Sequence, residues 1–83
     1  MFDKLLELGK YKVVDLHGFT KEEARSEVFY HLNITDNYNS IIFVHGYHGG
    51  QVLKNLVRKE IENPRIIKKL MLDASSTAYV LKN

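Results

Sequence analysis

Val13, Val14 and Leu16 make a short apolar run that ends at His17-Gly18, and this predicts a strand over residues 13–16. The period then changes. Ala24, Val28 and Leu32 recur at i, i+4 and i+8, flanked by Phe29, so a helix with one buried stripe is expected from Lys21 onward. Thr20 and Glu23 have the spacing of a capping box, and Phe19 and Ala24 are placed for a hydrophobic staple. Residues 34–40 are polar and turn-like. Ile41-Ile42-Phe43-Val44 is a continuous apolar run, read as a buried strand, and it too ends in histidine and glycine, His45-Gly46. After Tyr47-His48-Gly49-Gly50, the positions of Val52, Leu53, Leu56, Val57 and Ile61 predict a second helix from Gln51, which Asn63-Pro64 should stop. Residues 66–72 and 77–81 read as two more strands, with Asp73-Ala74-Ser75-Ser76 as the turn between them. A short helix over residues 2–8 is the remaining expectation, its Leu5, Leu6 and Leu8 covering apolar surface left by the sheet.

The predicted order is therefore β-α-β-α-β-β in a single domain, 1–83, of which 1–10 is an N-terminal extension. Strands alternating with helices imply parallel pairing through right-handed crossovers. Both helices then lie on one face of the sheet, and the fold class is a two-layer α/β sandwich.

Composition narrows the setting. Hydrophobic residues make up 45% and charged residues 27% of the 83, the balance of a folded globular chain rather than a disordered one. No cysteine is present, which removes disulfides and thiolate metal sites and suits a reducing compartment. The N-terminal residues interleave charged and apolar side chains, unlike a signal peptide, and no apolar run reaches the roughly 18 residues of a membrane span. A cytoplasmic location without membrane partners is expected. The net charge of +2 is small, but residues 1–50 carry −2 and residues 51–83 carry +4. A basic second half suits either a phosphate-facing patch or an ordinary solvated helix face.

The two His-Gly strand endings hold the chemistry. If the first two strands are parallel neighbours, both histidines emerge at the carboxyl edge of the sheet, where α/β folds place ligands. Asp15 and His17 are two residues apart and share a face on a strand. Asp15, His17 and His45 are thus the candidate catalytic group: paired imidazoles with a carboxylate suffice to take a proton from a ribose 2′-hydroxyl and return one to the leaving oxygen. The competing reading makes Asp15 and His17 a hydrogen-bonded tie for the turn. In the loop, Gly46, Tyr47, His48, Gly49 and Gly50 are candidate nucleic-acid contacts through backbone amides and, at Tyr47, base stacking. Lys54 and Arg58 follow on one side of the helix, spaced to pair with phosphates; a tight connection with solvated side chains is the alternative. Asp15, His17, His45 and His48 could also make a metal-ligand set, but without a tight local pair such as His-x-x-x-His no metal or other cofactor is assigned.

Val14-Asp15-Leu16-His17-Gly18 resembles the Leu-Asp-Leu-His-Gly signature of the small MutS-related (Smr) domain. His45-Gly46, with its glycine-bearing loop and Val52-Leu53-Lys54 beyond, resembles that family's second signature, His-Gly-x-Gly before a helix. The resemblance runs over residues 11–82. It implies a fold like the C-terminal domain of translation initiation factor three, with strand order 1-2-4-3 and the fourth strand antiparallel. It also implies nucleic-acid binding, with endonuclease activity on DNA or RNA, or else a non-catalytic module that acts with ribosomes or with repair and recombination proteins. The sequence departs from the pattern at three places: His48 stands where the second signature has glycine, Tyr47 where it is usually basic, and Ala74-Ser75-Ser76 where a glycine-rich stretch usually precedes the last strand.

Overall fold

The structure, a computed structural model, describes residues 8–34, 37–46 and 51–82. The elements follow in the order β1 (Tyr11–Asp15), α1 (Lys21–Asn33), β2 (Ser40–Val44), α2 (Val52–Asn55), a π-helical turn (Leu56–Glu60), β3 (Ile66–Asp73) and β4 (Ser76–Leu81). They form one four-stranded sheet of order β1-β2-β4-β3, with β1 and β2 parallel and β4 antiparallel to both β2 and β3. The α/β class, the element order and the antiparallel last strand all match expectation. The short helix expected over residues 2–8, with Leu5 and Leu6, lies outside the described residues apart from Leu8.

α1 starts where its local chemistry says it should. Thr20 accepts a hydrogen bond from the Glu23 amide at 3.1 Å, and Glu23 accepts one from the Thr20 amide at 2.8 Å, which completes the capping box. Ala24, Val28 and Leu32 are fully buried as one stripe. They pack with Leu56, Val57 and Ile61 onto Val14, Leu16, Ile41, Phe43, Tyr79 and Leu81 of the sheet and its margins, so both helical segments cover one face. The other face holds a smaller cluster in which Leu8 packs with Ile42 and Ala78, flanked by Leu70, Leu72 and Val80. Ser40 ties Leu8 down by donating its hydroxyl to the Leu8 carbonyl at 2.7 Å.

The second helix is not the regular one that its apolar spacing predicts. Its α-helical part has four residues, and the chain then widens so that the Ile61 amide bonds to the Leu56 carbonyl, five residues back, at 3.0 Å. Leu56, Val57 and Ile61 are all fully buried. Residues five apart diverge on a 3.6-residue turn and come back to one side only when the turn is wider, so burial of this trio favours the π winding. The helix ends at Ile61, ahead of Pro64. Lys69 on β3 takes over the termination: its ammonium bonds to the Ile61 carbonyl at 2.5 Å and the Arg58 carbonyl at 3.3 Å while lying over the Tyr79 ring. Burial lowers the Lys69 pKa.

Candidate functional site

β1 and β2 run in register, Asp15 beside Val44, so His17 and His45 leave the sheet at the same edge, as expected. Leu16 extends the pairing by donating to the Val44 carbonyl at 2.7 Å. Gly18 (φ 82°) and Gly46 (φ 71°) then turn the chain in the left-handed region that favours glycine. The two turns nearly touch: a β-carbon at Gly46 would lie 3.6 Å from the His17 Cβ.

The two histidines nevertheless have different surroundings. Val14 and Leu16 point into the helix-side core, so alternation along β1 turns Asp15 to the opposite face. There His17 sets its Nδ1 at 2.6 Å from the Asp15 carboxylate, which also accepts the His17 amide at 3.0 Å. Both side chains are exposed, 73% for His17 and 55% for Asp15. The side-chain hydrogen bond with His17, helped by the backbone one, lowers the Asp15 pKa. A carboxylate at Nδ1 selects the tautomer with its proton there and leaves Nε2 as the reactive nitrogen. No described residue bonds to that Nε2.

His45 continues the alternation of Ile41 and Phe43 onto the helix side and is 4% exposed. Its Nδ1 faces the Gly46 carbonyl at 3.0 Å, and its Nε2 faces the Thr77 hydroxyl at 3.0 Å. Arg58 donates from Nε to that same hydroxyl at 2.7 Å. A carbonyl can only accept, so Nδ1 carries the proton, and Thr77, accepting from Arg58, passes its own hydrogen to Nε2. Burial, reinforced by the positive charges of Arg58 and Lys54, holds His45 below the ordinary imidazole range despite the Gly46 bond. The ring is neutral, enclosed and satisfied at both nitrogens, and lies on the opposite face of the sheet from Asp15.

The same network binds the β3–β4 turn to this edge. Arg58 Nη2 donates to the carbonyls of Asp73 and Ser76, the latter at 3.1 Å. The amides of His45 and Gly46 both donate to the Ser75 carbonyl, at 2.9 and 3.1 Å. Asp73 closes the turn by accepting from the Ser75 amide and both serine hydroxyls, and these bonds, the Ser75 amide first, lower its pKa. Ala74-Ser75-Ser76 thus holds the second His-Gly in place. Arg58, a candidate phosphate contact, here bonds to Thr77, Asp73 and Ser76 as an internal strut, and the Gly46 amide is bonded to the Ser75 carbonyl. Lys54 remains half-buried on α2. Tyr47, His48, Gly49 and Gly50 lie outside the described residues.

Sequence reasoning missed Thr77. Its signal was a polar residue at an inward strand position, alternating with Tyr79 and Leu81, and such a buried hydroxyl requires a partner. Among the described residues no cluster of histidine, aspartate and glutamate could hold a metal ion, and no helix is long and apolar enough to cross a membrane.

A four-stranded α/β sandwich with two His-Gly turns brought together at the carboxyl edge of parallel strands defines the class. The chain belongs to the Smr domain family, which matches residues 14–76, from within β1 to the first residue of β4 and across both turns. No curated protein and no solved structure gives a match.

Proposed function

We propose that the domain binds nucleic acid and cleaves its phosphodiester bonds with the Asp15–His17 pair handling the proton. Family membership supports the nucleic-acid part. The observation that carries the chemistry is the exposed imidazole held at 2.6 Å by a carboxylate, with its Nε2 turned away from that partner. In this reading His17 takes the proton from the attacking 2′-hydroxyl, the phosphorus–O5′ bond breaks and the departing oxygen is protonated by water at this exposed site, while Asp15 orients the ring and stabilises its charged form, as a carboxylate does beside a catalytic histidine. His45 is a positioning residue: through Thr77, Arg58 and Ser75 it fixes the turn against which His17 rests. With a 2′-hydroxyl as nucleophile the substrate is RNA, and the product ends in a cyclic phosphate or its hydrolysis product.

A second reading, a module that binds DNA or RNA without cutting, is favoured by the enclosure of His45, which leaves one exposed imidazole where two were expected. One experiment separates them. Labelled RNA and supercoiled plasmid are incubated with the protein and with His17→Ala, each with and without chelator. The proposal expects RNA cleavage that His17→Ala lowers by about 10²–10⁴-fold while substrate binding persists. Binding without cleavage of either substrate leaves the non-catalytic module; chelator-sensitive cleavage that a divalent ion restores assigns the site to a metal instead.

A further inference from the structure

The sheet face turned away from α1 and the π turn is drier than Leu8 alone explains. Register lines up Val13, Ile42, Ala78 and Leu70 as one row across this outer face, from β1 through β2 and β4 to β3. Val13, at the β1 end, is 58% exposed, yet Ile42 keeps 7% and Ala78 none. Leu70, Leu72 and Val80 beside them are partly buried. Leu8 is the one member of this cluster, among the described residues, that comes from outside the strands. A leucine covers little more than one strand spacing, about 4.8 Å, and the dry region is wider than that.

Leu8 is itself fully buried and pinned. Ser40 holds its carbonyl at 2.7 Å. Two residues on, the Lys10 amide donates to the Asn39 side chain at 3.0 Å, and the Asn39 amide donates to the Lys10 carbonyl at 2.7 Å. These bonds bring the chain onto the outer face at Ile42 and Ala78 just before it enters β1, so residues 1–7 join the molecule there. Their sequence has the chemistry of a cover: Phe2, Leu5 and Leu6 fall at i, i+3 and i+4, and Asp3, Lys4 and Glu7 take the remaining positions. Seven residues reach about 10 Å even at the rise of a helix, the width from β2 to β3.

We infer that the outer face of β2, β4 and β3 is the docking surface for residues 1–7, whose Phe2, Leu5 and Leu6 pack on Ile42, Ala78, Leu70 and Val80. The surface stops short of β1. Val13 stays open to solvent, and so do Asp15 and His17, 55% and 73% exposed. The segment therefore closes the apolar face opposite the helices and leaves the candidate site accessible. This holds whether or not the domain cuts nucleic acid.

The sequence has no cysteine, so Lys4→Cys lets the full chain carry a single nitroxide on a polar position of the segment. Broadening of NMR signals by the nitroxide falls steeply with distance. It should be strongest at Leu70, Ala78 and Val80 and weaker at Ala24 and Val28 in the core on the other side of the sheet. Phe2→Ala/Leu5→Ala/Leu6→Ala should abolish that pattern and lower the melting temperature by about 10 °C or more, through the apolar area it removes. Where the triple variant does not fold, Leu5→Ala carries the comparison with a smaller shift in the same direction. Broadening centred on the helix side, or evenly weak across the sheet, overturns the docking, as do variants that melt like the parent. A mixture of nitroxide-bearing chain and isotope-labelled chain without nitroxide separates the occupants. The same pattern in that mixture assigns the face to the segment of a second copy and overturns the inference.

Discussion

Thr77→Val isolates the polar network behind the second His-Gly turn. The substitution keeps the shape of the side chain at a fully buried position and removes the hydroxyl that accepts from Arg58 and donates to His45. Leaving a buried polar group without its partner costs about 1–3 kcal/mol. The His45 Nε2 carries most of that penalty because the ring is enclosed. The Arg58 share is at the low end, since its side chain is half-buried and keeps its bonds to the Asp73 and Ser76 carbonyls. The total is about 2–4 kcal/mol, and with roughly 4–8 °C per kcal/mol for a domain of this size the melting temperature should fall by about 8–32 °C. Thr77→Ser keeps the hydroxyl and loses one buried methyl, about 1 kcal/mol. The assay is urea or thermal unfolding of the three proteins at pH 7.5, where His45 is neutral. If Thr77→Val is as stable as Thr77→Ser, the hydroxyl is not the link between Arg58 and His45 and the reasoning fails.

Acid should weaken the fold through the same ring. The His45 pKa is lowered in the folded protein, so between that value and the ordinary 6.5 the unfolded chain binds the extra proton. The stability contributed by neutral His45 is therefore complete above about pH 6.5 and is lost as pH falls through the folded value; the urea midpoint should drop across that window, and an NMR titration should place the His45 midpoint below the ordinary value. Arg58→Ala should lower the melting temperature yet leave the salt slope of nucleic-acid binding unchanged, because its guanidinium is directed into the protein. Lys54→Ala, compared by fluorescence anisotropy over a salt series, is expected to reduce that slope by about one. A slope change in the arginine variant alone would put phosphate, not the β3–β4 turn, at Arg58.

How much of this was readable beforehand depends on the distance over which each feature is decided. The start of α1 needs only Thr20, Glu23 and the stripe through Ala24, Val28 and Leu32, all within four residues of a neighbour in the set, and it forms as read. The strands behave likewise, although β1 begins at Tyr11, two residues early, because β2 supplies partners back to Ser40. The sheet order came from resemblance to a family and not from local pattern, since no periodicity tells β4 to insert between β2 and β3. The π turn was illegible for a similar reason: the spacing of Leu56, Val57 and Ile61 marks an apolar face, but only the core they fill decides how widely the backbone winds.

The two His-Gly endings separate the two kinds of information most sharply. By itself the sequence determined that two strands would each end in a histidine and a glycine, and that parallel pairing would bring them to one edge. It could not assign them different work. His17 follows the edge strand and remains in solvent with Asp15, two residues away, as its partner among the described residues. His45 follows a central strand, where the sheet, the π turn and the β3–β4 turn close around it and deliver Thr77 from 32 residues further along and Arg58 beyond it. A side chain's protonation and reach depend on what excludes water from it and which groups answer its hydrogen bonds, and for His45 those groups are neighbours in space rather than in sequence.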